Sequence, residues 1–358
     1  MQVGGSAMSR TSRSADAAAR APRAAIPAAI RKAAAILSLA GEAYVRAPRA
    51  AIALPKPPSG LHGGKGTAMA APLLFDRAAL RRRRARALAM GPADFLLDMA
   101  AEDLADRLAA VARHFSVAAD IGTPSEAAVR ALRARGQVEA LSHIDLLAGG
   151  DGLPDGDPLP FAPASLDLAV SVLALQFVND LPGLLVQVRR ALKPDGLFLA
   201  ALVGGDSLSE LRQAFMAAEA ETAGGASPRV APFAGVREMG ALLQRAGFAL
   251  PVADVDRLTV RYADPLALMA ELRRMGAANP LAERRRAPLR RETLARAVEI
   301  YAERFADPDG RVRATFDIVW ISGWAPHESQ QQPLKPGSAR MRLADALAQG
   351  RETKPGPG

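Results

Sequence analysis

Several residue types and patterns are scarce or missing in this sequence of 358 residues, and each absence narrows what the protein can do. There is no cysteine, which excludes disulfides, thiolate metal sites and a cysteine nucleophile. The chain has only four histidines, so histidine-based chemistry has few candidates. No apolar run approaches the roughly 20 residues that a membrane-spanning helix needs, the nearest being the Ala-rich stretch at 33–40. We therefore expect no stable membrane insertion.

Acidic residues are scarce in one region only, the first 70 residues. The net charge is +9, yet residues 71–358 are almost neutral, because most of the excess lies in this Ala-, Arg-, Ser- and Pro-rich segment. We predict that 1–70 is a disordered basic extension, with two alternatives: an organelle targeting segment, or sequence upstream of a natural start at Met69. The arginine run at 81–86 has no interleaved aromatics and is interpreted as a solvated helix surface, so we expect no nucleic-acid partner.

The remaining sequence alternates helix and strand patterns, and 49% of all residues are hydrophobic, enough for a sizeable core. Continuous apolar runs predict buried strands, and amphipathic helices separate them. Asp94 has the position of an N-cap before one such helix, and Ser207 and Glu210 have the spacing of a capping box before another. Only helical patterns occupy 264–305, and an extended segment follows. The sequence predicts an α/β fold with a doubly wound, mostly parallel sheet, a helical insertion at 264–305, an antiparallel last strand and a flexible tail at 331–358.

Ordered motifs in this region carry a family resemblance. The segment "DLPGLLVQVRRALKPDGLF" resembles the helix and following strand of class I S-adenosylmethionine-dependent methyltransferases. More narrowly, "FVNDLP", "ALVGGDSLSELR", "SPRVAPF", "LLQRAGF" and "WAPHESQ" are together similar to the respiratory complex I assembly-factor branch of that superfamily, found in mitochondria and their bacterial relatives. The resemblance implies a Rossmann-like domain at 71–330, S-adenosylmethionine as cofactor, and modification, described as hydroxylation, of an arginine in a complex I subunit. It implies the bacterial cytoplasm, or alternatively the mitochondrial matrix.

The stretch "VAADIGTPSEAAVRAL" falls where the resemblance implies cofactor contact. Asp120 and Gly122 match the family's first carboxylate and first glycine, although the sequence continues Thr-Pro-Ser-Glu where the family has two further glycines. Bare backbone lets a ligand approach such a turn closely. Asp145 falls about where the ribose carboxylate is expected. Asp157 lies near the family's adenine-contact position, or in a plain loop.

Polar residues after the later strands are the candidate catalytic groups, because ligands of open α/β sheets bind outside the carboxyl ends of the strands. Gln176 stands where the family often has a histidine, which weakens a general-base role there. Asn179 and Asp180 follow, and one of them also caps a helix. Asp206 comes after the next strand, and we expect Asp180 or Asp206 to draw charge from a substrate guanidinium.

Three further expectations concern metals, partners and the class of protein. The triplet at 143–145 has the His-X-Asp pattern of non-haem iron enzymes, but such enzymes are β-barrels, and we predict no metal site. The insertion is interpreted as the segment that holds a protein substrate. Its apolar stripes, the first formed by Leu266, Met269, Leu272 and Met275, are expected to face the sheet, and its arginines at 284–286 and 290–291 are expected to face outward. The alternative to an enzyme is a non-enzymatic assembly chaperone whose cofactor turn has decayed.

Overall fold

The computed structural model describes residues 73–147 and 158–331, so the basic extension, Asp157 and most of the tail lie outside the described residues. The elements in chain order are α1 (Arg77–Ala89), α2 (Phe95–Ala109), β1 (Phe115–Ile121), α3 (Ala127–Arg135), β2 (Val138–Ile144), β3 (Leu166–Val172), a 3-10 turn (Leu175–Phe177), α4 (Leu181–Ala191), β4 (Leu192–Gly204), α5 (Ser209–Ala223), α6 (Val236–Arg245), β5 (Ala249–Tyr262), α7 (Pro265–Arg274), α8 (Arg291–Phe305) and β6 (Val312–Trp324). Among the described residues, no helix is both long and apolar enough to span a bilayer.

The strands form a single six-stranded sheet in the order β2-β1-β3-β4-β6-β5. Neighbours from β2 to β4 are parallel, whereas β6 runs antiparallel to both β4 and β5. This confirms the predicted fold class, including the antiparallel last strand and the helices that precede it. Parallel strands need helical crossovers, which cover both faces of the sheet.

Two hydrophobic clusters fill the space between the sheet and its helices. One face packs the buried Leu104 and Leu108 of α2 against Leu168 and Val170 of β3. The opposite face packs Leu185 and other side chains of α4 against the alternate strand positions. Because both faces are buried, β3 and β4 are continuous apolar runs, as the sequence predicts.

The interpretation of Ser207 and Glu210 as a capping box is wrong. Helix α5 begins at Ser209, after Leu208 in the left-handed region at φ 55°. The Ser207 hydroxyl instead donates to Gly204 O at 2.6 Å and accepts from the Asp317 N–H at 2.9 Å. The Glu210 carboxylate accepts hydrogen bonds from Thr315 of β6. Ser207 and Glu210 therefore bond to β6 instead of capping α5. These contacts pair the polar groups of Thr315 and Asp317, which a local cap would leave without partners.

The insertion consists of α7 and α8, and its packing differs in part from the prediction. Leu268 and Leu272 of α7 are buried, but Leu266, assigned to the apolar stripe that faces the sheet, is 50% exposed. In α8, Ile300 and Tyr301 are fully buried against the core. Part of the apolar surface of α7 therefore packs into the core, and Leu266 lies on the wall of the cavity described in the next subsection.

Candidate functional site

A cavity of about 880 Å³ opens at the carboxyl ends of β1 and β3, where the fold places ligands. Its walls combine the turn after β1, the segment after β3, helices α1 and α7, and the connection between α5 and α6. Of the predicted site residues, Gly122, Gln176 and Asp180 line it. Asp120, Asp145, Asn179 and Asp206 are not among the lining residues.

Gly122 provides the bare backbone that the predicted cofactor turn requires. Its φ is +83°, and a Cβ built there would lie 2.6 Å from Leu146 Cδ1 and 3.2 Å from Ala174 Cβ. Gly122, Leu146 and Ala174 all line the cavity. A side chain would therefore fill the space in which a ligand approaches the backbone, and this part of the site fits a nucleoside cofactor.

Asp120 stabilises this turn through buried hydrogen bonds. Its side chain is fully buried and accepts from Thr123 Oγ1 at 2.5 Å and from His143 Nδ1 at 3.0 Å. Thr123 in turn accepts from the Val172 N–H at 3.0 Å, which links the turn to the end of β3. The hydrogen bond that His143 donates to Asp120, opposed by partial burial, raises the pKa of His143. As placed, Asp120 positions the turn that presents Gly122.

Asp145 lies just after β2, and an arginine from α1 clamps its carboxylate. Arg84 Nη1 lies 2.7 Å and 2.8 Å from the two carboxylate oxygens, and Arg84 Nη2 donates to Pro124 O at 2.6 Å. The Leu147 N–H donates to the same carboxylate at 2.8 Å. Asp145 can accept both hydroxyls of a ribose only after Arg84 moves. No local sequence pattern indicates this ion pair, since 61 residues separate the partners.

The three polar residues after β3 have three different roles. Gln176 Nε2 donates to Leu173 O at 2.7 Å, while Gln176 Oε1 is buried on the cavity wall and has no hydrogen-bond partner among residues 73–147 and 158–331. Asp180 caps α4 by accepting from the Gly183 N–H at 2.9 Å and also lines the cavity. Asn179 exchanges two hydrogen bonds with the backbone of Phe75, and so ties down the segment before α1. Its placement does not match the predicted catalytic position.

Asp206 lies away from the cavity wall. Its side chain is 73% exposed and pairs with Arg257 at 3.0 Å, while its backbone N–H donates to the buried Asp317 at 3.0 Å. Arg257 lowers the pKa of Asp317. The Asp206 carboxylate is therefore part of an ion-pair network with β5 and β6, which does not fit the predicted catalytic role.

Asp94 is a site residue that sequence reasoning missed. It precedes α2 and was predicted to be only an N-cap, but its side chain makes no cap hydrogen bond and lines the cavity. The signal was ambiguous, because an aspartate before an apolar helix is usually a cap. An uncapped carboxylate in the cavity is free to accept hydrogen bonds from a ligand.

Helix α1 and the insertion meet above this cavity. Phe75 bridges to Leu281, and Asp76 pairs with Arg284 at 2.9 Å. Arg83 donates to the carbonyls of Ala278 and Asn279. The arginine run at 81–86 is thus only partly a solvated surface, and Arg284, with a side chain 14% exposed, does not face outward as predicted. Arg285 and Arg286 do remain exposed.

The two side chains of the His-X-Asp triplet have different partners, because His143 bonds to Asp120 and Asp145 bonds to Arg84. In residues 73–147 and 158–331, no group of three or more histidines and acidic residues is arranged to hold a metal ion.

Comparison with known proteins defines the class of protein first. A family described as "Methyltransferase domain" matches residues 105–200, which contain the Gly122 turn, β3 and most of β4. The chain is an enzyme of the class I S-adenosylmethionine-dependent methyltransferase superfamily, whose cofactor is S-adenosylmethionine.

The relatives narrow this class. Arginine-hydroxylase NDUFAF5, mitochondrial, of Danio rerio is 37% identical over 287 residues, covering 76% of this chain and 89% of the relative, and the Homo sapiens protein of that name is 36% identical over 76% and 83%. A malonyl-[acyl-carrier protein] O-methyltransferase of Xylella fastidiosa is 39% identical over 48% of this chain and 56% of its own length. This chain belongs to the arginine-hydroxylase NDUFAF5 family.

Proposed function

We propose that this protein modifies an arginine of a protein substrate, a subunit of respiratory complex I, and so acts in assembly of that complex. The modification named in its relatives is hydroxylation, which would need a separate oxidant that supplies the oxygen atom, whereas methylation would use the methyl group of the cofactor itself. The observation that carries the proposal is the set of hydrogen-bond acceptors on the wall of the cavity beside the Gly122 turn.

The acceptors suit a guanidinium group. Asp94 offers a carboxylate without a cap bond, Asp180 a second carboxylate, and Gln176 Oε1 a buried acceptor without a partner. A guanidinium carries five N–H donors and no acceptor, so it could satisfy all three. Leaving Gln176 Oε1 unpaired costs about 1–3 kcal/mol, a penalty that a substrate N–H would remove.

The cofactor part of the proposal assigns two roles. Gly122 would let S-adenosylmethionine approach the backbone, and Asp145 would take its ribose hydroxyls once Arg84 has moved away. The bound cofactor supplies an electrophilic methyl group to this class of enzyme. Asp120 would hold the turn in shape through Thr123 and His143.

Arginine modification is tested by mass spectrometry of complex I subunits from cells that lack the protein. Wild-type protein should restore a modified arginine, and the mass increase separates an added oxygen atom from an added methyl group. Asp94→Asn and Gln176→Leu should reduce the modified fraction by about tenfold or more. Asp98→Asn is the matched control, because Asp98 lies one turn further along α2 in a surface pair with Arg130. Equal activity of Asp94→Asn and Asp98→Asn would refute the arginine site.

The chaperone alternative draws support from the replaced glycines and from Arg84 on Asp145. It predicts that Gly122→Val, which blocks the cofactor turn, supports complex I assembly while the arginine stays unmodified. Calorimetric titration of the purified wild-type protein with S-adenosylmethionine checks the same point. Measurable binding that Gly122→Val abolishes would favour the enzyme.

Partner capture is assigned to the exposed arginines above the cavity. Arg285 and Arg286 would steer an acidic partner, together with Arg82 and Arg86 on the outer side of α1. Replacing Arg285 and Arg286 by Glu should slow association with the subunit in a salt-dependent way. Arg284→Glu is expected to destabilise the fold instead, because Arg284 pairs with Asp76.

The relatives' names support a mitochondrial location over the bacterial cytoplasm.

A further inference from the structure

The cavity extends well beyond the cofactor turn into a region that we name the apolar chamber. Its walls share an apolar character and come from α5, α7, α8, β6 and the connections before α6 and α8: Leu211, Phe215, Val230, Phe233, Leu266, Met269, Leu289, Leu294 and Phe316. None of these side chains belongs to the turn after β1. The chamber is therefore a separate part of the cavity that the cofactor residues do not account for.

The floor of the chamber is deep. Leu211 is 5% exposed, Phe215 7% and Phe316 2%, although all three line the cavity. A folded protein surface cannot reach such a floor, whereas one flexible apolar chain can. These three side chains have little surface left to bury, so a bound chain would gain most from the partly exposed walls at Leu266, Met269 and Leu294, at about 25 cal/mol per Å² of apolar surface removed from water.

The chamber also has a positively charged group on its wall, the guanidinium of Arg273. Arg273 lies one helical turn after Met269 on α7, lines the same cavity and is exposed. Within the described part of the chain, its side chain makes no hydrogen bond or ion pair. The other arginine on this part of the wall, Arg229, is already paired with the buried Glu219 at 2.7 Å. A ligand here therefore meets an apolar interior and one available guanidinium.

We propose that the apolar chamber binds an aliphatic carboxylate, with its chain over Phe215 and Phe316 and its carboxylate on Arg273. An apolar tail matches the walls, and an anionic head matches an arginine that has no other partner. A cationic amphiphile would place like charges together. This proposal does not depend on the arginine modification proposed above.

The first test is calorimetric titration of the full chain with dodecanoate below its micellar concentration, for wild type and two matched variants. Leu266→Glu puts a charge on the chamber wall, and Met216→Glu puts the same charge on α5 outside the cavity. The two side chains are equally exposed, at 50% and 51%. We expect saturable binding by wild type and Met216→Glu, and at least a tenfold loss for Leu266→Glu. No binding by wild type, or equal loss in both variants, would overturn the proposal.

The second test concerns the head group. Arg273→Gln should weaken dodecanoate about tenfold but leave binding of the neutral dodecanol unchanged, because only the carboxylate needs the guanidinium. Arg237→Gln is the control, since Arg237 is exposed on α6 and does not line the cavity. If Arg273→Gln weakened both ligands equally, or if Arg237→Gln had the same effect, Arg273 would not hold the head group.

Discussion

Two carboxylates at the ligand-binding edge of the sheet are held in nearly the same way. Arg84 contacts both oxygens of Asp145 at 2.7 Å and 2.8 Å, and Arg257 contacts both oxygens of Asp317 at the same two distances. Yet Arg84 lines the cavity with a side chain 24% exposed, whereas Arg257 is 59% exposed and lies outside the cavity wall. A clamped carboxylate is therefore not by itself the sign of a site.

Strand direction explains the difference. Asp145 follows a parallel strand, and the carboxyl ends of parallel strands open on the cavity. Asp317 lies within the antiparallel β6, directly opposite Arg257 of β5, so the two form a cross-strand pair that stabilises the sheet. The same kind of ion pair thus lies beside the cavity in one place and joins two neighbouring strands in the other.

The largest difference is expected between Asp120→Ala and Asp317→Ala. Asp120→Ala leaves the buried Thr123 hydroxyl and the partly exposed His143 ring without their shared acceptor, which costs about 2–3 kcal/mol and lowers Tm by about 5–10 °C. It should also abolish measurable binding of S-adenosylmethionine, because the Gly122 turn loses its support. Asp317→Ala should lower Tm by a smaller amount and leave the affinity unchanged. Calorimetry and thermal melts measure both, and equal affinity losses would contradict the comparison.

A smaller effect of opposite sign is expected when the clamps are removed. Arg84→Gln should raise the affinity for S-adenosylmethionine about fivefold, since releasing a partly exposed ion pair is worth about 1 kcal/mol. Arg257→Gln, the matched change in the other clamp, should leave the affinity as it is. Weaker binding by Arg84→Gln would mean that Arg84 helps to hold the cofactor instead of competing with it.

The smallest effect concerns pH. The hydrogen bond that His143 donates to Asp120, with Asp145 nearby, raises the pKa of His143 above its unfolded value of about 6.5. The charged imidazole therefore stabilises the fold below that pH, and this stabilisation is lost as the pH rises through the folded pKa. The Tm difference between wild type and His143→Gln should be largest near about pH 5.5 and shrink by about pH 8.5. The exposed His114→Gln serves as control, and a difference that grew with pH would exclude this assignment.

Local sequence was sufficient for the elements and for part of the site. The apolar runs of β3 and β4 predict buried strands because both faces of the sheet are covered, and Gly122 stands out because only a turn with positive φ needs a glycine there. The acceptors Gln176 and Asp180 were found in the same way, since they directly follow β3. Such features depend on neighbours within a few residues, and the chain order alone specifies them.

Contacts between distant segments decided the rest. Arg84 on Asp145, Arg284 on Asp76 and Ser207 on Asp317 join residues 61, 208 and 110 positions apart. An arginine in a basic run looks the same whether it is solvated or clamped to a carboxylate, and an aspartate before a helix looks the same whether it caps or faces a cavity. The energy that separates these outcomes comes from desolvation and from partners supplied by other elements, which exist only once the sheet, α1 and the insertion have packed together.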